Sequence, residues 1–264
     1  MHFQDILYES RDGIARVTIN RPETLNAFRQ RTMEEMIEAF DAIDADNAIG
    51  VAVLTGAGDR AFCSGGDFAA MTKLNYRNGH IWNNTITRLA MTIRGLGKPA
   101  IAMINGWCMG GGNEFNTFCD LAIASDRARF GQTGAKVGAC PVVGATQYLP
   151  LFIGERKAKE MIFLCRQYTA QEALEMGLVN KVVPHEKLEE ETMAWCRSIL
   201  GFAPTTLRST KVALNFVSDM MYPAWRHGSE LLRYIWGSQE SLEGMRGFTE
   251  KIQPDFNQFR RNEP

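Results

Sequence analysis

Two glycine-rich segments carry the residues of this 264-residue sequence that are best suited to chemistry. They are AFCSGGD at 61–67 and NGWCMGGGNE at 105–114, and each follows a short apolar run that is typical of a buried strand. Glycine lets a ligand approach the main chain, and the first N–H groups of a helix have no partner inside it. Two such loops on neighbouring strands could each direct one N–H at the same negatively charged oxygen, as in an oxyanion hole. A glycine cluster after a strand can equally be a simple turn.

Glu114 is the side chain best placed to move protons beside the second segment. It lies in the first turn of a predicted helix, just after the glycines, with apolar neighbours such as Phe115 and Phe118. We expect its carboxyl to project from an apolar wall toward the glycine loops, where loss of hydration would raise its pKa and suit it to general acid–base catalysis. Its position also has a structural explanation, because the helix dipole alone stabilises a glutamate in a first turn.

Other catalytic motifs do not fit these residues. The glycines at 110–112 lack the GxGxxG spacing, and Ser64 lacks the GxSxG context and the nearby histidine of a serine nucleophile. The four histidines are scattered and form no HExxH motif, which argues against a histidine-based metal site. The six cysteines form no CxxC pair and indicate buried thiols in a reducing compartment, so we predict a cytoplasmic protein.

Charge and hydropathy exclude several classes of partner. The sequence has 29 basic and 30 acidic side chains and a net charge of −1, so nothing favours binding to nucleic acid or to an anionic membrane surface. No stretch of about 18 apolar residues occurs, and no membrane-spanning segment is expected. The first residues lack the basic and apolar pattern of a secretory signal.

The elements around the two loops alternate between strand and helix. Strands are predicted at 14–19, 50–55, 99–104 and 121–124, and helices at 32–43 and 82–96. Strands separated by helices pair in parallel through crossovers, which predicts an α/β core. From residue 155 onward we find only helical patterns, and the last of them carry large apolar side chains. We expect some of these side chains to cover the core and others to contact another subunit. They are Trp225, Leu231, Leu232, Tyr234, Ile235 and Trp236.

A series of short motifs extends along essentially the whole chain. They are NRP at 20–22, LNAF at 25–28, FCSGGD at 62–67, NG at 105–106, GGG at 110–112, CDLAIA at 119–124, FGQ at 130–132 and ALEMGLVN at 173–180. In these motifs the sequence resembles the crotonase superfamily, the enoyl-CoA hydratase/isomerase group. The resemblance implies an α/β spiral of ββα turns, an acyl-CoA substrate, and C-terminal helices that make trimers or paired trimers. We therefore predict a spiral core at 1–200 and a C-terminal helical trimerisation region at 201–264.

The resemblance also gives roles to named residues. It implies that the N–H groups of Gly66 and Gly111 hold the thioester carbonyl of the substrate and that Glu114 is the acid–base residue. The expected CoA contacts are Ala27, Ser64, Asp67 and Lys251. The C-terminal helices of this family reach a neighbouring subunit's CoA, which makes Phe248 a further candidate. Coenzyme A enters as part of the substrate, and no separate cofactor or metal ion is expected.

Subfamily signals point to members that open or close rings. The second glutamate of enoyl-CoA hydratases falls on Gly134 here, which argues against a two-glutamate hydratase. Segment 130–138 is similar to 1,4-dihydroxy-2-naphthoyl-CoA synthase and 2-ketocyclohexanecarboxyl-CoA hydrolase. Segment 141–150 resembles 6-oxocyclohex-1-ene-1-carbonyl-CoA hydrolase, which also has a glutamate matching Glu114. We predict a hydrolase or hydratase of alicyclic acyl-CoA that cleaves a C–C bond in a ring β to the thioester.

Such a ring requires an apolar pocket with a polar group for the ring oxygen. Gln132 and Tyr148 are the polar candidates, although a structural role suits both equally, and each wall residue can also be plain core. The predicted walls are Phe68, Met71, Trp82, Trp107, Val142 and Val143. Three alternatives remain. They are a hydratase or isomerase of a simpler enoyl-CoA, a ring closure like that of 1,4-dihydroxy-2-naphthoyl-CoA synthase, and a catalytically silent subunit that binds CoA esters.

Overall fold

Ten strands form two sheets within residues 2–260, the part of the chain that the computed structural model describes. The strands are β1 Ile6–Arg11, β2 Ile14–Ile19, β3 Val51–Gly56, β4 Ala61–Cys63, β5 Ala100–Ile104, β6 Trp107–Met109, β7 Leu121–Ser125, β8 Arg129–Gly131, β9 Gln167–Thr169 and β10 Lys181–Val183. The larger sheet has the order β1-β2-β3-β5-β7-β10, and the smaller sheet has the order β4-β6-β8-β9. Met1 and residues 261–264, the end of the predicted C-terminal region, lie outside the described residues.

Helices cover these sheets and make up the C-terminal part of the chain. They are α1 Gln30–Ala45, α2 Phe68–Met71, α3 Gly79–Gly95, α4 Gly111–Phe118, α5 Ala145–Ile153, α6 Glu155–Phe163, α7 Ala170–Glu175, α8 Leu188–Leu200, α9 Pro204–Asp219, α10 Tyr222–Ile235 and α11 Gln239–Glu250. The predicted strands and helices of the first 124 residues are all present, with ends that differ by at most a few residues. In the described chain, no helix combines the length and apolar character needed to cross a membrane.

The large sheet begins with a hairpin and continues with parallel strands. Asp12 and Gly13 have φ angles of 53° and 80°, as a tight two-residue turn requires, and they join the antiparallel strands β1 and β2. The pairs from β2 to β10 are parallel. Strand β3 is buried along its whole length, as expected of a strand with both faces covered.

Successive turns of the chain add a strand to each sheet and then a helix. Strand β3 leads to β4 and α2, β5 leads to β6 and α4, and β7 leads to β8. This topology confirms the predicted α/β spiral of ββα turns. Because β4 and β6 are parallel neighbours in the small sheet, the two glycine-rich segments leave the sheet side by side.

The prediction of helices alone after residue 155 is wrong in two places. Strand β9 pairs with β8 in the small sheet, and β10 pairs with β7 at the edge of the large sheet. Each of these strands has only three residues. Such a segment is too short to show a two-residue alternation, so its pairing partner, rather than its own pattern, makes it a strand.

The described chain from 204 to 260 contains helices only, as predicted. Its large apolar side chains divide as expected: Trp225, Leu232 and Trp236 are buried, whereas Leu231 and Tyr234 are exposed. Helix α10 packs across α3, so the C-terminal helices cover the core of their own chain. The trimerisation role of this region remains a prediction.

Candidate active site

The two glycine loops, 64–67 and 110–112, lie directly against each other. A side-chain carbon on Gly65 would stand 3.6 Å from the Gly111 N, and one on Gly110 would stand 4.0 Å from the Gly65 Cα. Gly65 and Gly110 also have positive φ angles, of 109° and 53°. Glycine is favoured at these two positions both by the backbone conformation and by the close approach of the loops.

Main-chain hydrogen bonds fix the first loop to the segment at 25–28. Phe28 N donates to Gly65 O over 2.9 Å, Asp67 N donates to Phe28 O over 2.8 Å, and Ser64 N donates to Leu25 O over 3.1 Å. These bonds engage the Ser64 N–H, the Gly65 carbonyl oxygen and the Asp67 N–H, which flank the Gly66 N–H. The Gly66 N–H itself donates to no acceptor within the described part of the chain.

The second loop places a free amide at the start of α4. Gly110 N donates to Gly131 O over 2.9 Å, which holds the loop to β8. Gly111 is the first residue of α4, and no acceptor in residues 2–260 receives its N–H. Two residues with unused amides, one from each of two loops in contact, therefore line the same cavity.

This cavity measures about 100 Å³ and has mainly apolar walls. Its polar side is formed by the two glycine loops, Glu114 and Gln132. The other lining residues include Phe28, Phe68, Met71, Trp82, Ile86, Thr133, Gly134, Val137, Cys140, Val143, Leu232 and Trp236. The structure thus brings together Gly66, Gly111 and Glu114 with four of the six predicted wall residues, namely Phe68, Met71, Trp82 and Val143.

Glu114 is almost completely buried beside the second loop. Its side chain receives one long hydrogen bond, 3.4 Å from Ala145 N to Oε1. Burial in apolar surroundings raises the pKa of the Glu114 carboxyl to about 8, and the bond from Ala145 opposes this shift only in part. Such a carboxyl can both give and take a proton near neutral pH. Among the described residues that line the cavity, it is the single carboxylic acid.

Gly134, at the position of the second hydratase glutamate, also lines the cavity. A side-chain carbon there would stand 2.7 Å from Ala139 O, closer than such contacts normally come. The backbone around Gly134 therefore leaves no room for a glutamate. The missing carboxyl reflects the local fold as well as the sequence.

A wider groove of about 1140 Å³ adjoins the cavity and shares Ser64, Gly66 and Phe68 with it. It contains all four predicted CoA contacts, and Trp107, predicted as a pocket wall, lies here rather than in the cavity. Three basic side chains also line the groove. They are Arg60, Lys136 and Lys251.

The C-terminal helix of the same chain closes one side of this groove. Phe248 of α11 stacks on Phe68, with ring centroids 3.9 Å apart, and Lys251 follows at the end of the helix. The resemblance places such residues at a neighbour's CoA. In this structure they line the groove of their own chain, because α11 folds back on the 134–137 segment.

The Asp67 carboxylate has a structural role. The carboxylate accepts hydrogen bonds from Arg21 Nη2, over 2.8 Å, and from Ala70 N, over 3.1 Å, at the start of α2. It thus caps α2 and ties the first loop to the 20–22 motif. The side chain lies at the edge of the groove, with its charge already paired.

Two predicted pocket residues lie elsewhere. Val142 lines a separate surface depression with Thr146 and Gln147. Tyr148 is 1% exposed and packs between Phe118 and Trp225, and no described cavity includes it. Helix α5 begins at Ala145, and its rotation turns Tyr148 into the core, which the sequence pattern could not show.

Gln132 does reach the cavity, yet its amide has a local role. Gln132 Nε2 donates to Gly110 O over 3.2 Å, and this bond helps to hold the second glycine loop in place. Thr133 is a further polar side chain of the cavity, and its Oγ1 would stand 3.7 Å from a side-chain carbon on Gly110. The sequence interpretation did not select Thr133.

The sequence interpretation also missed several wall residues. Phe28 lies against Gly111 and stacks on Trp82, and Leu232 and Trp236 form the wall that α10 contributes. In the sequence, Leu232 and Trp236 belong to the large apolar side chains that were expected either to cover the core or to contact another subunit. Their apolar character does not indicate which surface they cover. Among the described residues, no group of three or more His, Cys, Asp or Glu side chains is arranged to hold a metal ion.

Residues 9–260 match the family described as enoyl-CoA hydratase/isomerase. With this match, the α/β spiral and the two facing glycine loops, the chain belongs to the enoyl-CoA hydratase/isomerase family of the crotonase superfamily.

Solved structures of similar proteins share the fold over nearly their whole length. An enoyl-CoA hydratase/isomerase from Xanthobacter autotrophicus is 31% identical, with a TM-score of 0.87 over 95% of this chain and 95% of that chain. An enoyl-CoA hydratase from Bacillus anthracis is 31% identical, with a TM-score of 0.78 over 95% and 98%. An enoyl-CoA hydratase from Mycobacterium avium subsp. paratuberculosis is 28% identical, with a TM-score of 0.87 over 97% and 99%.

Proposed function

We propose that the protein is an acyl-CoA enzyme that works through a thioester enolate. The proposal rests on one observation: Gly66 and Gly111, whose N–H groups have no acceptor in the described chain, line the same cavity as a single carboxyl. In this proposal both amides donate to the thioester oxygen, and they do so most strongly when that oxygen becomes negative. Preorganised donors of this kind lower the barrier to enolate formation.

Glu114 is the proton carrier in the proposed cycle. Its pKa of about 8 leaves a usable fraction of both protonation states near neutral pH. The single carboxyl suits a reaction in which one group takes a proton and later returns it. CoA lies in the groove, where Ala27, Ser64 and Lys251 contact it and the basic side chains at its rim face the phosphates.

For the particular reaction we propose hydrolytic cleavage of a ring next to the thioester. Glu114 removes a proton from a water molecule that attacks the ring ketone at the β-carbon. The bond between the α- and β-carbons breaks, and its electron pair passes into the thioester enolate. Glu114 then returns the proton to the α-carbon, giving an open-chain CoA ester with a free carboxylate. The compact, mainly apolar cavity favours this proposal, because such walls suit a hydrocarbon ring.

A second candidate is hydration or isomerisation of a simpler, linear enoyl-CoA. The family match and the single carboxyl favour it, since a shift of a double bond requires one proton to leave one carbon and one to arrive at another. The structure offers no side chain at Gly134 for a two-carboxyl hydration. Of the two linear reactions, isomerisation therefore fits the described cavity better.

Product analysis on separate substrates distinguishes the two candidates: mass reports the addition of water to each substrate, and the ultraviolet absorbance of a conjugated enoyl thioester reports isomerisation, which leaves the mass unchanged. Purified protein is incubated with a 2-oxocycloalkane-carbonyl-CoA and, separately, with crotonyl-CoA and a 3-enoyl-CoA. Ring opening gives a product heavier by one water with a new carboxylate. If only the linear enoyl thioesters are turned over, the second candidate is correct and ring cleavage is excluded. Binding of all the esters with turnover of none would identify a silent subunit.

We further propose that the chain forms homo-oligomers, as trimers or hexamers, in the cytoplasm. Helix α9 supports this proposal, because several large apolar side chains on it and at its C-terminal end are more than 60% exposed in the single chain. They are Val212, Leu214, Phe216, Val217 and Met220. A surface patch of this kind marks a protein–protein contact more often than free surface.

A further inference from the structure

Helix α10 contributes the cavity wall that does not belong to the spiral core. Leu232 and Trp236 line the cavity together with Trp82 and Ile86 of α3. Trp236 follows the last residue of α10 and is 4% exposed. The packing of α10 on α3, rather than the glycine loops, therefore determines where this wall stands.

The indole of Trp236 is fixed by a buried amide. Its Nε1–H donates to Asn83 Oδ1 over 3.0 Å. Asn83 Nδ2 in turn donates to Ser229 O of α10 over 2.7 Å. Asn83 is 1% exposed, and both atoms of its amide are engaged, so the asparagine holds the ring and the helix in one arrangement.

The Cδ1–Nε1 edge of the indole also lies against Gly79, at the start of α3. A side-chain carbon on Gly79 would stand only 2.3 Å from Trp236 Cδ1. The ring therefore occupies the space that a side chain at Gly79 would fill, and it has no room to retreat toward α3. A longer acyl group could not push this wall outward without breaking the hydrogen bond to Asn83.

We propose that Trp236, positioned by Asn83 and Gly79, is the specificity-determining residue that limits the acyl group to short or compact structures. The inference rests on the proposed function of the same cavity in acyl-CoA binding. The cavity measures about 100 Å³, and Trp236 forms part of its wall, so this side chain limits the space that an acyl group can occupy. Long unbranched acyl chains are excluded as substrates.

The test measures binding of saturated acyl-CoA esters, which the enzyme does not turn over. Butyryl-, hexanoyl-, octanoyl- and decanoyl-CoA are titrated calorimetrically into the wild-type chain and into the graded series Trp236→Phe, Trp236→Leu and Trp236→Ala. In a pocket with room, each added methylene tightens binding about fourfold. We expect wild-type affinity to stop rising after the shorter esters, and to keep rising through longer ones as the side chain at 236 shrinks.

Trp195 provides a matched control. Its indole is partly buried and donates to Glu191 over 2.8 Å, and it lines no part of the cavity. Trp195→Phe should leave the dependence on chain length unchanged. The phenylalanine variant at 236 preserves an aromatic wall, and circular dichroism checks its fold. A chain-length profile that is the same in the wild type and every folded variant at 236 would overturn the inference. Absence of binding by any CoA ester would instead contradict the proposed function.

Discussion

Glu114 and Gly111 share one wall of the cavity: a side-chain carbon on Gly111 would lie 3.6 Å from Glu114 Oε2. Both residues belong to the first turn of α4, so one helix start supplies a free amide and a carboxyl. The helix N-terminus would stabilise a negative charge on the carboxylate, or on a ligand oxygen that accepts from the amide. Burial opposes ionisation of the carboxyl, and the amide N–H has no acceptor in the described chain, so it is available to a ligand. The same short segment can thus hold an oxyanion and carry a proton.

The Glu114 carboxyl carries the proton in the proposed reaction. Glu114→Gln keeps the size of the side chain and removes its proton transfer, so kcat should fall by about 10²- to 10⁴-fold. Steady-state kinetics with whichever CoA ester is turned over provides the measurement. Glu175→Gln, at an exposed position on α7, is the matched control and should keep full activity. Unchanged turnover in the Glu114 variant would remove this residue from the mechanism.

The pKa of Glu114 predicts a pH dependence of both activity and stability. If the ionised carboxyl must accept the first proton, kcat/KM rises with pH and levels off above about 8. For stability, the folded chain retains a proton that the unfolded chain releases between its ordinary pKa of 4.5 and about 8. Raising the pH through this range therefore favours the unfolded state.

Glu114→Gln removes that linkage, because glutamine does not ionise. The free energy of unfolding of the variant, relative to the wild type, should increase by a few kcal/mol between about pH 5 and about pH 9. Urea unfolding at the two pH values measures this difference. A constant difference between the two proteins would mean that the pKa of the carboxyl is not raised by folding.

Gly111 allows a test of the amide itself. Proline is well tolerated at the first position of a helix and has no N–H, so Gly111→Pro removes the proposed donor. Either substitution puts a carbon 2.5 Å from Phe28 Cε1, and Gly111→Ala therefore serves as the matched control for crowding. Relative to the alanine variant, the proline variant should lose about 10²-fold in kcat. Equal activities of the two variants would show that this N–H does not contribute.

A buried ion pair connects α9 to the core. Lys211 Nζ donates to Asp120 over 2.7 Å and to the carbonyl oxygens of Ile93 and Lys98, and its side chain is 7% exposed. Lys211→Met leaves the Asp120 carboxylate without its cation and should lower the free energy of unfolding by about 3 kcal/mol. The double variant with Asp120→Asn should recover part of this loss. Equal loss in both variants would show that packing alone is responsible.

We expect the exposed apolar side chains of α9 to hold copies of the chain together, and we expect charged substitutions there to disrupt this association. Size-exclusion chromatography with light scattering should show a trimer or hexamer for the wild type. Phe216→Glu together with Val217→Glu should shift the mass toward the monomer, because each carboxylate would be buried in the contact. Leu7→Glu, at an exposed position of β1, is the control. A wild-type monomer would contradict the proposed assembly.

Local patterns predicted the centre of this site because its key positions depend on short-range structure. The glycine loops follow strands that can be located from the sequence, and the apolar neighbours of Glu114 already indicated that it would be buried. The family motifs supplied the order of the ββα turns. These features need little knowledge of how distant parts of the chain pack together.

The remaining walls depend on long-range packing. Trp236 reaches the cavity only because α10 crosses α3, and Tyr148 is turned into the core by the rotation of α5. Val142 and Val143 are adjacent in sequence and line different surfaces. Hydrophobicity marks these residues as apolar or amphipathic, but it contains no information on which face of a helix meets which neighbour.

A crystal structure with a bound, unreactive acyl-CoA tests the central claim most directly. We expect a thioester oxygen about 2.7–3.1 Å from both the Gly66 N and the Gly111 N, with the acyl group beside Glu114. A thioester oxygen that contacts neither amide, or an acyl-CoA bound outside the cavity, would contradict it.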